Sequence, residues 1–305
     1  MDLGMAYLLG MYYGNGKLTR NSTETTIFIE VPYKTLVVDD REISVYVAAS
    51  INQLKDILQP LLGTAIKSEE QKNKAIIYFT KKNEEYVMKE FIKYVNGTSA
   101  CEYIELNEEI KAFTTDEKIQ FLKGFADVTG YIRNSNAYID GCHRVYLEIP
   151  HNWRLVVDIA NLLMDVGVPI QNIDWAHPNM RDPKREKFDK GNIYFWKKEH
   201  QIKIWVQDFA SIGFSMKHKE EKLKKCINCN RERYSEKTLN TKSKFYWEKK
   251  DRKDKIKARH PGENDTFIPE VIRGKHYDNW KEIARDLGYP PDFIIEEYNM
   301  KKNKE

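Results

Sequence analysis

Apolar residues along this chain follow one pattern that occurs twice. The run Ile27-Phe-Ile-Glu-Val-Pro-Tyr33 returns, 118 residues later, as Val145-Tyr-Leu-Glu-Ile-Pro-His151. Each run is rich in β-branched and aromatic residues and reaches a proline, which predicts a strand. An apolar, helix-like segment that ends in glycine precedes each run, at Tyr7–Gly16 and at Phe121–Gly130. The pattern therefore indicates two copies of one structural unit.

Each strand candidate is followed by an amphipathic helix, two further strands and a closing helix. The helix stripes are Ile51, Leu54, Leu58 and Leu61 in the first copy and Leu155, Ile159, Leu162 and Val166 in the second. The further strands are Thr64–Ile66 and Ala75–Thr80, then Ile170–Trp175 and Asn192–Val206. The closing helix carries Val87, Phe91 and Val95 in the first copy and begins at Phe209 in the second. The pattern therefore predicts the order αββαββα of helices and strands in each copy.

This order predicts an α+β protein with pseudo-two-fold symmetry. We expect residues 1–97 to form the first repeat, 98–115 a connector, 116–216 the second repeat and 217–305 an appended region. The hydrophobic content of 41% supports a packed core and excludes wholesale disorder. The longest apolar stretch, Leu3–Gly14, is about half of the ~20 residues that a membrane span needs. We therefore expect a soluble, cytoplasmic monomer without a membrane partner, associated with the nucleoid if the source is a bacterium.

Charge is unevenly distributed along the chain. Between Lys217 and Arg259 there are 17 Lys and Arg against 7 Asp and Glu, a local balance of +10. Because the whole chain carries +4, the remainder carries −6. A basic segment on an acidic protein is typical of a chain that binds a polyanion. A solvated charged linker is the alternative that charge alone leaves open.

A CxxC pair lies in this basic region. Two thiolates on a tight turn can share one tetrahedral metal, so Cys226 and Cys229 predict half of a structural Zn²⁺ site. The other ligands that the sequence offers nearby are His260 and His276. Two free thiols are the alternative.

The last segment predicts a helical hairpin. Asp278 can cap a first helix whose apolar face ends at Gly288, and a second helix follows Pro290-Pro291. The first helix carries Trp280, Ile283, Ala284 and Leu287, and the second carries Phe293, Ile294 and Tyr298. Two helices joined by a turn with glycine resemble a helix-turn-helix.

The two glycine-ended helices carry a recognisable motif. Leu8-Leu-Gly-Met-Tyr-Tyr-Gly-Asn-Gly16 and Leu122-Lys-Gly-Phe-Ala-Asp-Val-Thr-Gly130 resemble the two LAGLIDADG motifs of monomeric homing endonucleases. The resemblance covers about residues 1–216 and implies a duplicated αββαββα LAGLIDADG endonuclease-like fold. It also implies that the motif helices pack face to face. Small residues permit such close approach, and the candidates are Gly10, Gly14 and Gly124.

In active members of the family, the penultimate motif residue is an acid that binds divalent metal. Here those positions hold Asn15 and Thr129, which carry no charge. Asp127 is the nearest carboxylate, but a residue two positions before Thr129 faces elsewhere unless the helix end unwinds. We therefore expect cleavage to be weakened or lost. The alternative is cleavage with Mg²⁺ through Asp127, Asn15 and a further acid.

The resemblance also implies that the strands of each half lie in the major groove of double-stranded DNA. Polar residues on these strands are candidates for base and phosphate contacts. They are Lys17, Arg20, Arg133, Asn136, Lys197, Lys198, Gln201 and Lys203. The same residues could equally form the solvated face of an antiparallel sheet.

Three functions remain open at this point. The chain is a site-specific endonuclease, a DNA-binding regulator without cleavage, or an RNA-splicing maturase that binds structured RNA. The loss of both motif acids and the C-terminal helix pair favour the second. That combination resembles sporulation-control regulators, which join a degenerate homing-endonuclease domain to a helix-turn-helix.

Overall fold

The protein is an α+β molecule built on antiparallel sheets, as the sequence predicts. Its computed structural model describes residues 1–36, 43–95, 97–99, 106–134, 143–150, 153–170, 172–174, 199–233, 248–250, 253–255 and 258–259. The predicted helical hairpin, His260, His276, Asn136, Lys197 and Lys198 lie outside these residues. Within the part of the chain that is described, no helix is long and apolar enough to cross a membrane.

The described residues of the first half form three α-helices and one four-stranded sheet. The elements are α1 (Leu3–Asn15), β1 (Gly16–Arg20), β2 (Glu24–Pro32), α2 (Ile43–Leu62), β3 (Lys67–Glu70), β4 (Lys74–Lys82) and α3 (Tyr86–Lys93). All neighbouring strands are antiparallel, and their order across the sheet is β1-β2-β4-β3. The strand predicted at Thr64–Ile66 is wrong by a few residues, because the hydrogen-bonded strand begins at Lys67 and is exposed throughout. Because every residue of this edge strand is exposed, its sequence shows no alternation of hydrophobic and polar residues, and the strand could not be located from that pattern.

The second half has the same strand order. Its elements are α4 (Glu108–Lys111), α5 (Thr115–Thr129), β5 (Gly130–Asn134), β6 (His143–Pro150), α6 (Trp153–Asp165), β7 (Asn172–Asp174) and β8 (Glu199–Trp205). These strands lie in the antiparallel order β5-β6-β8-β7. The short strand β11 (Ala258–Arg259) extends this sheet by pairing parallel to β7. The remaining strands, β9 (Glu248–Lys250) and β10 (Lys253–Lys255), form a separate pair.

The predicted closing helix of the second half is wrong at its start. Phe209 begins a 3₁₀ turn that ends at Ser211, and Gly213 follows with φ +66°. The helix itself, α7 (Lys217–Arg233), begins only after this turn. The left-handed backbone of Gly213 redirects the chain, which separates the apolar Phe209 from the polar helix.

The motif helices α1 and α5 form the centre of the core. Asp2 caps α1 by accepting hydrogen bonds from the backbone N–H groups of Gly4 and Met5. Thr114 and Glu117 form a capping box at the start of α5. Each helix ends at a glycine with extended backbone, Gly16 or Gly130, which starts the next strand at once. The motif therefore fixes both the helix end and the direction of the following strand.

The two helices touch through their backbones. A Cβ built on Gly10 would lie 1.9 Å from the Phe121 carbonyl oxygen, and one built on Gly124 would lie 2.1 Å from the Tyr7 carbonyl oxygen. One built on Gly14 would meet side chains first, at 2.6 Å from Val128 Cγ2. Only glycine allows the reciprocal contact between Gly10 and Gly124.

Replacing Gly10 by alanine tests this contact. An alanine in a helix interior normally stabilises by about 1 kcal/mol relative to glycine. At position 10 we expect the opposite effect. Gly10→Ala should lower the free energy of unfolding by about 3 kcal/mol or more, because the backbone carbonyl oxygen of Phe121 cannot move away from the added methyl group. Gly14→Ala should lower the free energy of unfolding by less, because the atom that its methyl group would meet belongs to the Val128 side chain. Adding Val128→Ala to Gly14→Ala should remove this contact and recover part of the lost stability. Urea unfolding of the three variants measures the difference; equal losses at both glycines would contradict the account.

Candidate functional site

The ends of the two motif helices carry neutral side chains. Asn15 is half-buried, and its Nδ2 donates a hydrogen bond to the Val128 carbonyl oxygen at 2.8 Å. Thr129 is buried, and its hydroxyl donates to the Phe125 carbonyl oxygen at 2.7 Å. Each side chain therefore donates to a backbone carbonyl of α5, and neither brings negative charge to the helix ends.

Asp127 lies in a closed network instead. Its carboxylate is fully buried and accepts hydrogen bonds from the Tyr7 hydroxyl at 2.6 Å and from the backbone N–H groups of Ser215 at 3.1 Å and Met216 at 3.4 Å. The end of α5 does not unwind, because α5 continues to Thr129 and the Gly130 N–H bonds to the Ala126 carbonyl. The condition under which Asp127 could replace a motif acid is therefore not met.

Lys219 completes the network from the first turn of α7. Its fully buried ammonium donates to the carbonyl oxygens of Asp127 at 2.8 Å and Gly130 at 2.7 Å, and more weakly to Ala126 at 3.5 Å. A cation at the C-terminal end of a helix is favoured by the helix dipole. In the sequence, Lys219 was one of many lysines in a basic segment, and no local signal distinguishes it.

Burial sets the acidity of this network. It raises the pKa of the Asp127 carboxyl, an effect that the Lys219 charge and the three hydrogen bonds oppose. It also raises the pKa of Tyr7 well above its usual range, and the Asp127 charge adds to that rise. Burial lowers the pKa of Lys219 to about 8, against the attraction of Asp127. The Asp127 charge and the Lys219 charge therefore each favour the ionised form of the other, whereas burial opposes it.

The outer face of the first sheet is open to solvent. Lys17 and Arg20, two of the predicted DNA contacts, are exposed on β1, where Lys17 lies on this face and Arg20, opposite the buried Thr25, at the edge of the other face. Residues that sequence reasoning missed lie on the same sheet: Phe28 and Tyr78 stack with ring centroids 5.7 Å apart, and Lys67 is exposed on β3. The period-two alternation of β2 and β4 could have identified the two aromatic residues as the outward positions.

The outer face of the second sheet is less exposed than that of the first. Of the predicted contacts there, Arg133 is exposed, but Gln201 is half-buried and donates to Glu148 Oε1 at 3.0 Å. Lys203 is buried, and its ammonium lies 5.3 Å from the centre of the Tyr146 ring. Arg133, although exposed, also lies with its guanidinium 5.8 Å from the centre of the Tyr146 ring.

The CxxC pair lies inside α7 and not on a tight turn, so the predicted turn is wrong. Cys226 is buried and Cys229 is exposed. Among the residues that the structure describes, no group of three His, Cys, Asp or Glu side chains could hold a metal ion. Because His260 and His276 lie outside those residues, the zinc site stays a prediction.

Removing the Asp127 carboxylate should destabilise the fold. Asp127→Ala leaves a buried ammonium and three donors without their acceptor, so we expect a loss of about 3–5 kcal/mol in the free energy of unfolding. In a Lys219→Met background, the loss should be smaller by about 0.5–3 kcal/mol, because no buried cation remains uncompensated. Urea unfolding of both single variants and the double variant gives this coupling. Strict additivity would show that the two groups act independently.

The free energy of unfolding should depend on pH in a way that reflects the lowered pKa of Lys219. Between pH 8 and about 10.4, the unfolded chain keeps a proton on this lysine that the folded chain has released. The free energy of unfolding of the wild type, minus that of Lys219→Met, should therefore rise with pH across this window and stay flat just below it. A difference that falls with pH would mean that the fold stabilises the charged ammonium.

Comparisons with known proteins return solved structures only, since no protein-family model and no curated protein matches the chain. The chain is similar to full-length DUF199/WhiA from Thermatoga maritima, with 14% identity, 78% of this chain and 64% of that chain covered, and a TM-score of 0.41. It is similar to the N-terminal LAGLIDADG domain of DUF199/WhiA, with 16% identity, 69% and 78% coverage, and a TM-score of 0.37. It is also similar to I-DmoI in complex with DNA and Ca, with 17% identity, 69% and 89% coverage, and a TM-score of 0.37.

Proposed function

We propose that this chain is a duplicated, two-motif LAGLIDADG-type protein that binds double-stranded DNA as a monomer and does not cut it. The observation that carries the proposal is the chemistry at the ends of α1 and α5. Asn15 and Thr129 are neutral there and bonded to backbone carbonyls, while Asp127 is enclosed with Tyr7 and Lys219. A fold arranged like a nuclease thus lacks the groups that nuclease chemistry needs.

The described residues do not fit a catalytic divalent metal. Mg²⁺ prefers carboxylate oxygens and keeps several waters, so a site at the helix ends would need acids that face solvent. Asn15 donates from Nδ2 to the Val128 carbonyl and Thr129 donates from its hydroxyl to the Phe125 carbonyl, and neither side chain supplies a charged ligand. Asp127 has a lysine, a tyrosine and two backbone donors as its partners in the core. No step of DNA hydrolysis therefore follows from these groups.

Charge and surface chemistry support DNA as the partner. Lys17, Arg20 and Arg133 are exposed on the strands that directly follow the two motif helices. The segment between Lys217 and Arg259 adds a balance of +10 to a chain that is otherwise acidic. Phosphate contacts by lysine and arginine supply the main part of affinity for duplex DNA, and a sheet face with mixed polar and aromatic residues can contact base edges.

Selection of duplexes from a random library tests the binding. We expect the full chain to enrich one sequence equally in Ca²⁺, in Mg²⁺ and in buffer without added divalent metal, since binding needs no metal at the ends of α1 and α5. The logarithm of affinity should fall with the logarithm of salt concentration by about 0.9 per phosphate neutralised. Binding that requires a divalent metal would favour the endonuclease. Displacement of the selected duplex by structured RNA at lower concentration would favour the maturase.

A further inference from the structure

We infer that the outer face of the second sheet is an intramolecular docking surface, and that its partner is the basic ribbon formed by β9 and β10 in the appended region of the same chain. This inference goes beyond DNA binding and does not depend on it. The surface is called the second outer face below. It consists of the residues that alternate with core residues along β6 and β8: Arg144, Tyr146, Glu148, Gln201, Lys203 and Trp205.

The second outer face is buried although it does not belong to the core. Five of its six side chains are buried, and Gln201 is half-buried. Trp205 is only 1% exposed, yet neither Trp205 nor Tyr146 is part of the core that surrounds their inward neighbours. Residues on the outer side of an antiparallel sheet contact water unless a further layer covers them. A further layer of the chain therefore lies over this face.

The first sheet provides an internal comparison, because it has the same strand order. Its outward residues Thr26, Phe28 and Tyr78 are half-buried, and Thr80 is exposed. Phe28 and Tyr78 stack at 5.7 Å, much as Tyr146 stacks on the neighbouring strand at 5.3 Å. Stacking between strands thus leaves the rings of the first sheet partly exposed, and it cannot account for the burial of the second outer face.

Helix α7 brings the appended region to one end of the second sheet. Asn230 accepts a hydrogen bond from the His143 backbone N–H at 2.9 Å and donates one to the His143 carbonyl at 3.2 Å. The next residue, Arg144, lies opposite Trp205. Since α7 ends at Arg233, the appended region begins at the end of the sheet that contains Trp205.

The chain also returns to the sheet from this end. Ala258 lies opposite Ile173, in a strand that runs in the same direction as β7. On the other side of β7, Asn172 lies opposite Lys203. The residues before Ala258 therefore approach from the end of β7 at Asn172, which is the end toward Trp205.

The ribbon is tethered close enough to lie on the second outer face. Lys255, the last residue of β10, precedes Ala258 by three residues, which span at most about 11 Å at ~3.6 Å per residue. The sheet is about 14 Å wide from β7 to β5 at ~4.8 Å per strand pair. The ribbon can therefore reach β8 and β6 from the edge at which β11 is anchored.

The connection between β7 and β8, residues 175–198, is the other candidate for this layer. It joins β8 at Glu199, which precedes Trp205 by six residues. Six residues of a strand extend about 20 Å, so this connection meets the sheet at the end opposite Trp205. The ribbon approaches from the correct end, and we assign the layer to it.

Register and charge agree with this assignment. Ala258 takes a position in the inward row that continues through Ile173 to the core residue Ile202. Arg259 takes the next position, in the outward row that continues through Asp174 and Gln201 to Glu148. A shift of one residue would exchange the two rows. The ribbon itself contains four lysines and two acids, so a basic segment lies beside a row with two acids.

The two cations of the second outer face already have aromatic partners. The Arg144 guanidinium lies 4.4 Å from the centre of the Trp205 ring, and the Lys203 ammonium lies 5.3 Å from the centre of the Tyr146 ring. A basic ribbon can therefore lie over this face beside cations that stack on its aromatic rings. The appended region is thus a layer of the second repeat and not a solvated linker.

A cut in the folded chain tests the docking. A protease site is inserted after Asn240, between α7 and β9, and the full chain is cut after purification, so that neither piece has to fold alone. We expect the two pieces to elute together in size-exclusion chromatography. Ala258→Pro removes a backbone donor from β11 and should release the C-terminal piece. The matched control is Ala65→Pro, at an exposed position outside the strands of the first half, and it should keep the pieces together.

Hydroxyl-radical oxidation, measured by mass spectrometry, identifies what covers the face. In the intact chain, Tyr146 should be oxidised more slowly than Tyr78, which is also stacked on a neighbouring strand. After release of the C-terminal piece, Tyr146 should be oxidised as fast as Tyr78, and oxidation of Trp205 should rise. Wild-type pieces that separate as soon as the chain is cut would overturn the inference. So would protection of Tyr146 and Trp205 that survives release of the piece, which would assign the layer to residues 175–198. Neither result bears on duplex binding by the intact chain.

Discussion

The backbone contact between α1 and α5 is the constraint on which the rest of the structure depends. Gly10 and Gly124 allow each helix to touch a carbonyl oxygen of the other, which places Tyr7 against Asp127 and Asn15 against Val128. Each helix then passes through a glycine into a strand, so the crossing also positions β1 and β5. The same crossing brings two neutral side chains, Asn15 and Thr129, to the helix ends.

The acid that remains near the crossing serves to hold α7 in place. Asp127 accepts the backbone N–H groups just before α7, and Lys219 of that helix binds the carbonyl end of α5. The Lys217 backbone N–H donates to Gln53 Oε1 at 2.7 Å, so the same helix start also contacts the first half. Asp127 and Lys219 thus contribute to the packing of α7 against the end of α5.

The sequence predicts the elements whose hydrophobic and polar residues alternate regularly or follow a recognisable motif. Alternation located β2 and β4, the glycine-ended motif located α1 and α5, and small residues identified the close crossing at Gly10 and Gly124. It could not predict the role of Lys219, because burial of one lysine among many depends on where a distant helix packs. It also could not predict the difference between the two sheet faces. Lys17 and Lys203 both follow strand alternation, and only tertiary contacts make one exposed and the other buried.

The most direct test of DNA binding without cleavage is a nicking assay on supercoiled plasmid that carries the selected duplex, with excess protein in Mg²⁺ and again in Mn²⁺. We expect bound plasmid to be converted to the nicked form no faster than plasmid alone, because Asn15 and Thr129 carry no charge and Asp127 is enclosed in the core. A nick at the selected site that disappears in Asn15→Ala, with binding retained, would contradict it and place a working metal centre at the helix ends.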